Sequence, residues 1–296
     1  MEKGSLIMND KKTKVLVIGA TGMAGHVVYT YLHETGKYEL HNLVYRTKLN
    51  DFSIVADVRD KARIAEVIRE VQPEIIINCV GVLVKGAKEY PDNAILLNAY
   101  FPHFLKKIAD EINGRLIHIS TDCVFSGKRG NYAEADFKDA ADVYGLSKNL
   151  GEVINDKDLT LRTSIIGPEL KTEGEGLFHW FMNASGNVNG YQSAIWSGVT
   201  TLELAKAVDL AIDKQYTGLL HVCNGDSINK YELLMLFQKI WNKKDIVIHP
   251  YDGVRVDKSI QKSETVDFSV PSYEKMLEEL YLWMQTHNQL YCSIYK

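Results

Sequence analysis

Cysteine and proline are scarce in this chain of 296 residues, with four of the first and six of the second. Cys79, Cys123, Cys223 and Cys292 stand far apart and never as C-x-x-C, which argues against a disulfide framework and a zinc cluster. Long hydrophobic runs are missing too. The most apolar stretch, Ile75 to Val84, is too short to cross a bilayer and is interrupted by Asn78. Neither sign of charge dominates: the net charge of −4 excludes the strongly basic balance that nucleic-acid phosphates favour. No secretory h-region appears between Met1 and Lys14. The expectation is a cytoplasmic protein with reduced thiols, and without metal, nucleic acid or membrane among its partners. Residues 1–12 read as a disordered lead, because they offer nothing to bury.

What is present is a globular composition, 46% hydrophobic and 24% charged, organised as strands alternating with helices. Val15 to Ile18 is a continuous apolar run ending at Gly19, the form of a parallel strand buried on both faces. A helix is expected over 23–34, strands over 40–45 and 54–55, a helix over 61–71 and a strand over 75–77. Next come a helix over 93–112 that Pro102 kinks or restarts, a strand over 115–120, a helix over 144–154 and a strand over 159–163. Such alternation predicts an α/β fold, a Rossmann-type doubly wound parallel sheet over 13–166. After Pro168 the residues 171–200 read as loops of a smaller C-terminal α/β substrate lobe spanning 167–296, with segments around 197–225 able to return to the first domain. Helices are expected there over 201–214, 230–241 and 271–286, with strands over 218–223 and 246–248.

Gly19, Thr21, Gly22, Met23 and Gly25 form a G-x-x-G-x-x-G turn between the first strand and first helix. Glycines at that junction let backbone N–H groups and the helix N-terminus approach a pyrophosphate, so the turn is a candidate dinucleotide cradle. An NAD site would carry an acid about 20 residues later. Arg46 stands there instead and suits a 2′-phosphate, which favours NADPH and leaves NADH open. Asp57, followed by Val58, closes its strand where an adenine edge would lie. Cys79, Val80 and Gly81 would line the cofactor at the carboxyl edge of the sheet.

Tyr144 and Lys148 form the only Tyr-x-x-x-Lys in the chain and share a helical face. An ammonium beside a phenol lowers the phenol pKa, making it a usable proton donor or acceptor. Thr121 lies upstream at a strand end, where its hydroxyl can bond a substrate carbonyl.

Taken together these motifs resemble the extended short-chain dehydrogenase/reductases, and among them the dTDP-4-dehydrorhamnose reductase family. The resemblance rests on the three glycines, S-T-D-C-V-F-S-G at 120–127, N-Y-A-E-A-D at 131–136, Tyr144/Lys148 and L-R-T-S at 161–164. It implies a Thr121–Tyr144–Lys148 triad and hydride delivery to C4 of a 4-keto-6-deoxy nucleotide sugar, in deoxysugar and surface polysaccharide synthesis. Asp122, Cys123, Arg255 and Lys258 are the candidates to meet that substrate. Ile165 stands where the rhamnose reductases usually carry a tryptophan, so the sugar and nucleotide stay open. Cys123 replaces the glutamate of the related dehydratases and argues against dehydration. It also resembles the thiol of the bifunctional epimerase–reductases, for which His179 would be the acid partner. A non-catalytic NADP-binding regulatory subunit is the other alternative. Related enzymes often pair as homodimers through the tyrosine-bearing helix.

Overall fold

The structure is a computed structural model and describes residues 11–295. Most of the lead expected over 1–12 therefore lies outside the described residues. Seven strands form the central sheet: β1 (Thr13–Ile18), β2 (Tyr38–Val44), β3 (Ile54–Val55), β4 (Ile75–Asn78), β5 (Arg115–Thr121), β6 (Leu159–Thr163) and β7 (Gly218–Val222). Their order is β7-β6-β5-β4-β1-β2-β3, and every pair is parallel. The sheet is thus a doubly wound Rossmann-type sheet whose winding reverses between β1 and β4, and ligands bind outside the strand carboxyl ends at such a reversal.

Alternation along β1 shows why both faces are covered. Val15 and Val17 enter one core with Val27, Val28 and Leu32 of α1 (Met23–Thr35). Leu16 and Ile18 enter the other with Ile64 and Ile68 of α2 (Lys61–Val71) and Leu105 and Ile108 of α3 (Phe101–Glu111). All four strand residues are fully buried, each stabilising the fold by about 1.5–3 kcal/mol relative to exposure.

Pro102 sits in the first turn of α3, and the backbone before it, at Tyr100 and Phe101, is already helical, so the helix runs through the proline without restarting. The turn before it, Ile95–Tyr100, widens to π geometry. The carbonyl of Asn98, which Pro102 cannot pair, faces Gly151: a Cβ on Gly151 would fall 1.9 Å from that oxygen. The approach requires a glycine at the point where α4 (Val143–Leu150) ends, short of the expected residue 154.

Residues 171–200 depart from the loops expected there. They form α5 (Leu177–Asn183) and short strands at Gly186–Tyr191, Ala194–Trp196 and Val199–Thr200. The helix exists because Phe178 and Phe181 are buried against Phe237, with ring centroids 5.4 and 5.6 Å away. Phe237 belongs to α7 (Lys230–Ile240). The chain then returns through α6 (Thr201–Asp213) and β7 to the central sheet before ending its regular helices with α8 (Tyr273–Thr286) and a turn at Asn288–Tyr291.

Candidate active site

The glycine turn is built by sterics. Gly19 has φ +83°, the left-handed region, and its N–H donates to Leu43 O at 2.9 Å, joining the turn to β2. A Cβ on Gly25 would lie 2.2 Å from Gly19 O, so α1 reaches the strand end only without a side chain there. Gly22 caps α1 with no side-chain hydrogen bond and no acid in the first turn. The first amides are therefore left to a ligand, and an anion is the ligand they favour.

These amides open into a cleft of about 520 Å³. Thr21, Gly22 and Met23 line one part of it, Cys79, Val80 and Gly81 another, and Thr121, Tyr144 and Lys148 the far wall. Three stretches far apart in sequence thus share one cavity, because the carboxyl ends of β1, β4 and β5 are neighbours in the sheet.

Lys148 is buried; its Nζ donates to Ile119 O at 2.7 Å and lies 3.4 Å from His118 Nε2. Burial takes its ammonium down to about 8, against the upward pull of the Glu152 carboxylate. Burial pushes the Tyr144 phenol up, and the Thr121 hydroxyl nearby draws it down. This reverses the sequence expectation of a phenol lowered by Lys148: the ammonium is turned onto a backbone carbonyl, and desolvation dominates. Tyr144 consequently keeps its proton at neutral pH.

Thr121 Oγ1 donates to Asp122 Oδ1 and accepts the Cys123 N–H, both at 3.1 Å. Burial raises the Asp122 carboxyl, and Lys258 and Lys230 oppose it. The Cys123 thiol is pushed up to about 12, chiefly by burial and then by the Asp122 carboxylate, with the Lys258 ammonium opposing. Cys123 lines the cleft as a neutral thiol. His179 does not line it: its Nδ1 meets Tyr295 Oη at 2.9 Å and its Nε2 meets Thr172 O at 3.2 Å. The proposed acid partner of Cys123 is thereby committed to holding a loop.

Arg46, Asp57 and Val58 lie outside the cleft walls, at the carboxyl ends of β2 and β3. Arg46 is exposed and stacks on Tyr45, 4.4 Å from the ring centroid. Asp57 pairs with Arg59 at 2.6 Å, and that guanidinium holds its carboxyl below the usual range. Arg255 is exposed and away from the cleft, whereas Lys258 arrives beside Cys123.

Four residues escaped the sequence reading. Asn98 bonds Val82 N (2.8 Å), Val82 O (3.0 Å) and Ser147 Oγ (3.1 Å), fixing the loop after β4 to α4. His118 lies behind Lys148 and meets Asn78 Nδ2 at 3.1 Å. Lys230, whose Nζ lies 4.8 Å from the Trp196 ring centroid, is held down to about 8 by burial. Glu169 lines the cleft and accepts the Gly176 N–H at 2.7 Å. The strand alternation of R-L-I-H-I-S put His118 on one face with Ser120, which is the only signal any of them left.

The profile of the RmlD substrate binding domain matches residues 13–286. This chain belongs to that family. Methionine adenosyltransferase 2 subunit beta of Bos taurus is 26% identical to this RmlD-family chain over 257 residues, 82% of this chain and 76% of that protein. The dTDP-4-dehydrorhamnose reductase of Aggregatibacter actinomycetemcomitans is 32% identical over 157 residues, but the match spans only 51% of either chain. In three dimensions, the dTDP-4-dehydrorhamnose reductase of Bacillus anthracis, solved in complex with NADP, superposes with a TM-score of 0.77 at 23% identity. It covers 92% of this chain and 99% of that one.

Proposed function

We propose that this chain uses NADPH to reduce the C4 ketone of a 4-keto-6-deoxy nucleotide sugar. The observation that carries the reading is the meeting of the glycine turn with Thr121, Tyr144 and Lys148 in one cleft. The NADP of the Bacillus anthracis relative supports the cofactor. The uncapped first turn of α1 would hold the pyrophosphate, and Arg46 a 2′-phosphate. When bound, the reduced cofactor supplies the hydride that adds to C4.

The remaining chemistry belongs to the chain. Thr121 turns its hydroxyl from Asp122 to the ketone oxygen and stabilises charge as it develops. Tyr144, kept protonated by burial, gives its phenolic proton to the new alkoxide. Lys148 holds the nicotinamide ribose, and its ammonium then faces the phenolate left on Tyr144. The exposed Val143, Leu146 and Leu150 on α4 are the face through which two copies would pair, which light scattering would check.

A second reading has its own support: the match to methionine adenosyltransferase 2 subunit beta spans most of both chains. On that reading the chain binds NADP(H) and another enzyme without turnover. One experiment separates the two. The protein is incubated with NADPH and a panel of 4-keto-6-deoxy sugar nucleotides while the absorbance of the reduced cofactor is followed. Oxidation with one member supports the reductase; tight NADPH binding with no oxidation by any member selects the regulatory reading.

A further inference from the structure

The short segment after α8 reaches both rims of the cleft at its phosphate end. His26, one turn into α1, donates from Nδ1 to Gly22 O at 2.8 Å. A carbonyl can only accept, so this bond leaves Nε2 as an acceptor, and the buried Tyr291 donates its hydroxyl to it at 2.9 Å. Four residues further on, Tyr295 Oη accepts the Glu169 N–H at 2.8 Å and meets His179 Nδ1 at 2.9 Å. Glu169 in turn closes its own loop through the Gly176 N–H. That loop rests on the glycine turn: a Cβ on Gly176 would come 3.2 Å from Met23 Sδ. The two tyrosines are set on one turn, where the Tyr295 N–H donates to Tyr291 O at 2.9 Å.

We infer that residues 287–295 form a hook that positions the cofactor-phosphate cradle, Tyr291 fixing Gly22 through His26 and Tyr295 fixing the 169–176 loop. The inference rests on the cleft being a dinucleotide site, as proposed above. The family match ends at residue 286, so the hook lies outside it. Neither phenol faces the reacting atoms; both are positioning residues. Their loss loosens the grip on the cofactor and spares the chemical step.

The test uses the full chain with Tyr291→Phe and Tyr295→Phe, which keep each ring and remove only the hydroxyl. In protein without cofactor, amide hydrogen exchange quickens about threefold to tenfold over 169–176 for Tyr295→Phe, and over the first turn of α1 for Tyr291→Phe. Exchange in β5 and β6 stays unchanged. The NADPH dissociation constant, read by fluorescence of the reduced cofactor, rises about fivefold in each variant. Turnover at saturating NADPH stays within about twofold of the parent. Exchange that is unchanged, or faster throughout the sheet, overturns the hook. Local quickening with an unaltered NADPH constant overturns its positioning role. If the parent chain takes up no NADPH, the cofactor reading fails, while the exchange data still decide whether the hook holds the two rims.

Discussion

Around Tyr144 the ionisable groups are buried or half-buried and shifted: Lys148 down to about 8, Tyr144 up, Asp122 up, Cys123 up to about 12. Around Arg46 the charges stand in solvent: Asp57 pairs with Arg59, and Arg46 and Arg59 both donate to Tyr45 Oη at 2.8 and 2.9 Å. The two regions adjoin the same glycine turn through different strands. At the first, desolvation decides which groups carry a proton, so Tyr144 and Cys123 keep theirs at neutral pH. At the second, water screens the charges, and they are available to recognise a charged group without committing to it. The contrast predicts that substitutions at the buried end change chemistry and stability, and those at the exposed end change only preference.

The largest effect belongs to Tyr144→Phe, which should lower turnover roughly a thousandfold with NADPH affinity almost unchanged. Retention of most activity would remove Tyr144 from the role of proton donor. Next is Glu152→Ala. Glu152 and Arg162 pair at 2.9 Å with both side chains fully buried, so removing the carboxylate leaves an uncompensated guanidinium and should cost about 3–5 kcal/mol in urea unfolding. A loss below about 1 kcal/mol would show that the network is not desolvated as described.

Acid should expose the buried end as well. Burial holds His26 and His221 down to about 4 and His118 well below 6.5. Unfolding returns each to its ordinary value, so between pH 6.5 and 4 the unfolded chain binds more protons than the folded one. Their contribution is complete above 6.5 and is lost as pH falls through that window, at up to about 1.4 kcal/mol per pH unit for each histidine. Urea midpoints at pH 7 and pH 5 measure it, and His221→Asn should flatten the slope. The smallest effect is at the exposed end. Arg46→Ala should weaken NADPH about tenfold and NADH hardly at all; equal losses would return Arg46 to a plain surface charge.

Legibility followed the same division in part. β1, the glycine turn and the Tyr144–Lys148 spacing could be read because strand and helix periodicities are local. The reversed shift of Tyr144 could not, because spacing reports which groups are close and not how much water they keep. Lys148 and Tyr144 share a helical face, yet the lysine bonds a strand carbonyl. Asn98, Lys230 and the hook were hidden for another reason: their partners come from distant segments, as far as the 265 residues between His26 and Tyr291. Aromatic residues among glycines concealed α5, whose existence depends on Phe237 arriving from another helix. For Arg46, the sequence showed a charge beyond β2 but not its stacking on Tyr45.

The return of β7 to the edge of β6 has a practical side for anyone exchanging specificities among relatives. The polypeptide leaves the sheet after residue 163, comes back at 201–222 and departs again. A chimera cut at a single crossover would pair β6 of one parent with β7 of the other and cover α1 with the other parent's α6. Exchanging residues 164–200 and 223–296 while keeping the sheet of one parent therefore requires two separate inserts around a retained α6–β7 segment.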